Sequence, residues 1–77
     1  MTIDALLQPV LGDVGRPFCL EDCPETISRW DSIKQIELVV AIEDMCGVEL
    51  TTAEILRLKS VGAILEVLHN RGIPIRL

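Results

Sequence analysis

At 77 residues, with 49% hydrophobic residues and a net charge of −5, the chain has room for one domain around one small core. Twelve acidic against seven basic residues argue against a nucleic-acid binder, and no apolar run approaches the length of a membrane span. The opening "MTIDALLQPV" has neither the basic start nor the small-residue cleavage site of a secretory signal, so a cytoplasmic protein is expected.

Phe18 and Trp30 are the only aromatics, so the core has to be aliphatic, and the dominance of Leu, Ile, Val and Ala favours helices packed on helices. Ile3, Leu6, Leu7, Val10, Leu11 and Val14 keep the spacing of one helical stripe and predict a first helix over about 3–14, opened by Thr2. Pro9 stands off that stripe and lacks a backbone donor, so a kink or an early end is expected. Residues 15–31 contain two prolines and no sustained period, and predict a long loop pinned by Phe18, Leu20 and Ile27. Loops of that length in compact domains often carry function.

A second helix is predicted over about 32–46, with Leu38, Ile42 and Met45 on one stripe, Val39 and Cys46 beside it, and Gly47 as a left-handed cap. "TTAE" at 51–54 is a capping box that opens a short third helix over about 52–58, carrying Ile55 and Leu58. Ser60 caps a fourth over about 61–70, where Val61, Ile64, Leu65 and Leu68 share a face. The tail "IPIRL" reads as extended or mobile. The expected fold is all-α: a single-domain four-helix bundle with a long loop between helices 1 and 2 and a short third helix.

Catalytic signals are lacking. A nucleophilic serine needs a base, and His69, the only histidine, belongs near the end of the last helix, so no catalytic residues are expected. There is no glycine-rich phosphate loop and no zinc-protease motif. Cys19, Cys23 and Cys46 are an odd number without an export signal, which disfavours disulfides, and "CLEDC" lacks the paired spacing of a four-ligand zinc site, so no metal is expected.

One stretch stands apart. In "RWDSIKQIEL" Ser32 follows Asp31 at the start of the second helix, and either residue can be its N-cap. A phosphate esterified to Ser32 would face unpaired backbone N–H groups and the positive end of the helix dipole. Lys34, in the first turn, is placed to neutralise such a phosphate or is simply a solvated lysine.

The segment "WDSIKQIELVVAIEDMCGVEL", Trp30 to Leu50, resembles the acyl carrier protein family, whose hallmark is Asp-Ser-Leu (or Ile) opening a helix, then Glu-Leu, an aliphatic run and an acidic cluster. Asp31, Ser32, Ile33, Glu37, Leu38, Ala41, Ile42, Glu43 and Asp44 fall in register with that pattern. The similarity continues through "TTAEILRLKSVGAILEVL" and is weak over residues 1–25.

The resemblance implies a carrier rather than a catalyst. A phosphopantetheinyl transferase would place 4′-phosphopantetheine from coenzyme A on Ser32, beside Asp31 of the same motif. An acyl- or aminoacyl-loading ligase or transferase would charge the arm as a thioester, and downstream biosynthetic enzymes would receive the load. Glu37, Glu43, Asp44 and Glu49 would meet basic patches on these partners in fast, weak, salt-sensitive encounters. Ile33, Ile36 and Val40 would touch partners, line the entrance to an acyl pocket, or close the core. Trp30 before the Asp-Ser pair is similar to free-standing carriers of specialised bacterial pathways. Polyketide-like, modified fatty-acyl and amino-acid loading systems are all open. Lys34 stands where many fatty-acid carriers have an acid. The chain is expected to be a monomer without nucleic-acid or membrane partners. The alternative is an unmodified module of the same fold that binds a protein through its acidic helix 2.

Overall fold

A computed structural model describes residues 2–77, which form four helices: α1 (Ile3–Leu11), α2 (Ser32–Cys46), α3 (Thr52–Arg57) and α4 (Val61–Asn70). Among the described residues there is no strand, only an isolated parallel bridge between Thr2 and Arg76. The architecture is the small helical bundle expected, with a long first connection and a short third helix. No helix among the described residues is long and apolar enough to cross a membrane.

α1 packs against α2, and α3 against α4. Ile3, Leu6, Leu7 and Leu11 of α1, Leu38 and Ile42 of α2, and Val61, Ile64, Val67 and Leu68 of α4 are all at most 1% exposed and make the aliphatic centre. α1 ends at Leu11, not near residue 14. Pro9 offers no donor, and Gly12 turns the chain with a φ of 79° while its N–H bonds Gln8 O at 2.8 Å. α3 stops at Arg57, one residue short of the expected end, because Leu58 leaves helical dihedrals to become the cap and buries its side chain.

The long connection is folded onto the bundle. Phe18, Ile27 and Trp30 are buried, whereas Leu20, expected as a third anchor, is 48% exposed. The backbone of Leu20 does the anchoring instead: its carbonyl accepts from Gly62 N at 3.0 Å, and Asp22 O accepts from Val61 N at 2.9 Å. Two loop carbonyls thus satisfy first-turn donors of α4 that would otherwise lack partners. Asp22 is 2% exposed, and its carboxylate accepts from Arg16 Nη1 and Nη2 at 2.8 Å, from the amide of Cys19 at 2.9 Å and from the hydroxyl of Thr26 at 3.2 Å. The Arg16 pairing above all, with the Cys19 amide, holds this carboxyl well below the usual carboxylate range.

At the far end, the capping box forms in both directions, Thr51 N to Glu54 Oε1 at 2.9 Å and Glu54 N to Thr51 Oγ1 at 3.2 Å. Arg71 also reaches across from the end of α4 to Glu54, and that ion pair, with the Thr51 amide, lowers the Glu54 carboxyl to about 2. The tail packs back onto the bundle through Ile75 and Arg76. Ile75 is buried, Ile75 O lies 2.6 Å from the His69 ring nitrogen, and Arg76 O accepts from Ile3 N at 2.6 Å.

Candidate functional site: the serine at the start of α2

Asp31 is the N-cap of α2. Its backbone is extended, at φ −106° and ψ −171°, and its Oδ1 accepts from Lys34 N at 2.9 Å. Ser32 is therefore the first helical residue, and its side chain makes no hydrogen bond among the described residues. The hydroxyl is exposed and has no capping work to do. Of the two readings the sequence left open, the cap belongs to Asp31.

Ser32 stands at the edge of an open cleft of ≈ 670 Å³ between the loop, the start of α2 and the end of α3. Trp30, Gln35, Ile55, Leu56 and Leu58 line it, with Lys59 and Cys23 also present. A strap of side chains holds its shape: Trp30 Nε1 donates to Gln35 Oε1 at 2.6 Å, and Gln35 Nε2 donates to Leu58 O at 3.0 Å. The loop, α2 and the α3 cap are thereby fixed to one another around the serine. Trp30 is 2% exposed and anchors the loop, its polar edge satisfied by this contact.

A covalently held phosphodiester fits this position. It needs an exposed hydroxyl, room for a long arm, and a setting that favours negative charge. The first backbone N–H groups of α2 provide the last, with the cleft beside them. Among the described residues the Ser32 hydroxyl has no hydrogen-bond partner that would take its proton. The His69 ring is engaged with Ile75 O and is not among the residues lining the cleft.

The other residues expected at the site divide. Lys34, read either as a phosphate neighbour or as a solvated lysine, places Nζ 3.0 Å from Glu37 Oε2. Glu43 Oε2 accepts from Leu50 N at 2.9 Å and holds the turn after α2. Asp44 makes no ion pair among the described residues. Ile33, Ile36 and Val40 are exposed, so they do not close the core. Gln35 and Lys59 were not anticipated. Gln35 is an ordinary polar helix residue in sequence, and Lys59 comes to the cleft only through the turn between α3 and α4.

A family model for the phosphopantetheine attachment site matches residues 30–68, just over half of the chain. The matched span begins at the cleft tryptophan and runs through α2, α3 and most of α4. The fold is also similar to a solved structure of a candidate acyl carrier protein from Mycobacterium tuberculosis, with a TM-score of 0.77 at 20% identity over 90% of this chain and 92% of that one. No curated protein matches the chain. Bundle and site together define a carrier domain rather than an enzyme. The chain belongs to the phosphopantetheine-attachment family of acyl carrier proteins, whose cofactor is a covalently attached 4′-phosphopantetheine.

Proposed function

We propose that Ser32 is the residue that takes the 4′-phosphopantetheine arm, and that the loaded protein delivers an acyl or aminoacyl group to partner enzymes of a specialised pathway. The observation that carries the assignment is the division of labour at the start of α2: Asp31 caps the helix, which leaves the Ser32 hydroxyl exposed and unpartnered beside the cleft. The arm supplies a thiol that holds cargo as a thioester. The protein supplies position: the first turn of α2 receives the phosphodiester, the Trp30–Gln35–Leu58 strap keeps the cleft open, and Lys59 adds a cation at its edge. Tethering raises the cargo's effective concentration at each partner's active site, so the carrier needs no catalytic group of its own.

The partners in this reading are a phosphopantetheinyl transferase, an acyl- or aminoacyl-loading ligase or transferase, and downstream biosynthetic enzymes. The docking face is α2, through Ile33, Ile36 and Val40, flanked by Lys34, Glu37, Glu43 and Asp44. The exposure of the three aliphatics supports it. A specialised pathway, whether polyketide-like, modified fatty-acyl or amino-acid loading, is supported by Trp30 ahead of the motif and by Lys34 in its first turn. Three free cysteines are consistent with a cytoplasmic setting.

The test is intact-mass analysis after incubation with coenzyme A, Mg²⁺ and a broad-specificity phosphopantetheinyl transferase. Wild type should gain one phosphopantetheinyl group and Ser32→Ala none, with its helical circular dichroism unchanged. A gain that persists in Ser32→Ala would rule out this attachment point. No gain on wild type, with the transferase active on a known carrier, would favour the unmodified interaction module.

A further inference from the structure

Ser32 shares its cleft with a thiol. Cys23 lines the same ≈ 670 Å³ space from the loop side, while Ser32 stands at the edge formed by α2. The other two cysteines do not reach it. Cys19 is exposed on the loop, Cys46 packs against the core from the last turn of α2, and neither lines the cleft. Burial also pushes the Cys46 thiol up, which leaves it less of the reactive thiolate.

Backbone contacts fix Cys23 in place. Its carbonyl accepts from Thr26 N at 3.0 Å and from Ile27 N at 2.9 Å, its amide donates to Thr26 Oγ1 at 3.0 Å, and Ile27 is buried. The half-buried thiol lies beside the carboxyl of Glu25, which it holds below the usual carboxylate range, and Glu25 lines the cleft as well. The sulfur thus belongs to the cleft wall and not to the core. Carriage of an acyl group by Ser32 makes no use of it.

We propose that Cys23 is a capture site for the arm, forming a reversible intramolecular disulfide with the arm's thiol when the surroundings turn oxidising. This rests on the assignment of Ser32 as the attachment point, which confines both thiols to one cleft. The co-reactant is a small-molecule disulfide of the glutathione type. Cys23 gives up its S–H proton and attacks that disulfide, whose S–S bond breaks and releases one small thiol. The bond formed on Cys23 then exchanges with the arm's thiol, which loses its proton as the second small thiol leaves. Two thiols are oxidised to one disulfide while one small disulfide is reduced to two thiols. Tethering makes the second exchange intramolecular, at an effective concentration of about millimolar or above, so closure wins over a lasting adduct. The closed form has no free thiol to be loaded, and its sulfurs are kept from irreversible oxidation until a reducing thiol pool reopens the bond.

The test adds glutathione disulfide to the phosphopantetheinylated protein and reads intact mass and peptide maps without reducing agent. Expected is a species two hydrogens lighter than the reduced protein, with the arm on Ser32 linked to the peptide that carries Cys23. Cys19→Ser and Cys46→Ser should close as wild type does. Cys23→Ser and Cys23→Ala should close at least about tenfold less and gather a glutathione adduct on the arm instead. The ties that hold residue 23 run through its backbone, so both variants keep them, and unchanged circular dichroism will show that they fold. A link from the arm to Cys19 or Cys46, a pairing of Cys19 with Cys23 in place of the arm, or a lasting glutathione adduct on wild type would overturn the proposal while leaving Ser32 modified. Absence of any phosphopantetheinyl gain on wild type would instead remove the Ser32 assignment, and this proposal with it.

Discussion

Two adjacent residues, Asp31 and Ser32, have opposite relations to stability although both are preferred helix caps. Asp31→Ala removes the acceptor for Lys34 N and should cost about 1 kcal/mol in urea denaturation, while Ser32→Ala should stay within about 0.5 kcal/mol. A larger loss in Ser32→Ala would mean that the hydroxyl has structural work. The pair itself was legible from its place before a helical period. Which of the two caps was not, because composition does not reveal which backbone is extended. Asp22 was not legible at all. Its partners Arg16, Cys19 and Thr26 lie in an aperiodic loop, where no spacing rule says which way a carboxylate points. Because folding lowers its pKa, Asp22 stabilises the protein at neutral pH. That contribution begins to fall as pH drops below the unfolded value of about 4, and goes as pH falls through the native one. Asp22→Asn should therefore cost about 2 kcal/mol at neutral pH, with the difference from wild type narrowing in acid. A pH-independent difference would show that packing, not the charged network, is what the variant loses.

Among the elements, those with a clean period were the most legible. α4 and the capping box of α3 follow their apolar stripes and cap residues, which are local signals. The inner face of α2 was legible to Ile42 and then diverged. The buried stripe steps by four from Leu38 to Ile42 to the part-buried Cys46, and so leaves Met45 44% exposed. The outer stripe was visible as sequence, but whether Ile36 and Val40 faced the core depended on how α1 and α4 pack. Gly47 ends α2 in the left-handed region at a φ of 65°, and a Cβ there would meet nothing within 4 Å. Gly47→Ala should therefore cost about 1 kcal/mol through backbone strain alone. Thermal denaturation would check it, and no loss would mean that the turn after α2 relaxes into another conformation.

For the molecule as a whole, helix order was accessible from sequence, but the ties that close the fold were not. The loop carbonyls on the first turn of α4 and the tail against the first residues are backbone contacts, and they carry no side-chain signature. Deleting residues 74–77 removes buried Ile75 and the acceptor for Ile3 N, and should cost about 2 kcal/mol or more in denaturant titration. The buried Trp30 will report the transition. An unchanged midpoint would make the tail a passive covering. The bridge between Thr2 and Arg76 also makes the polypeptide nearly a closed circuit. A short peptide joining the two ends would complete the ring with little demand on the native state, and its main effect would be to limit the wandering of the unfolded chain. Pulled apart by those same ends, the molecule would first peel its tail from the opening of α1, and the start of α2 would feel the load only afterwards.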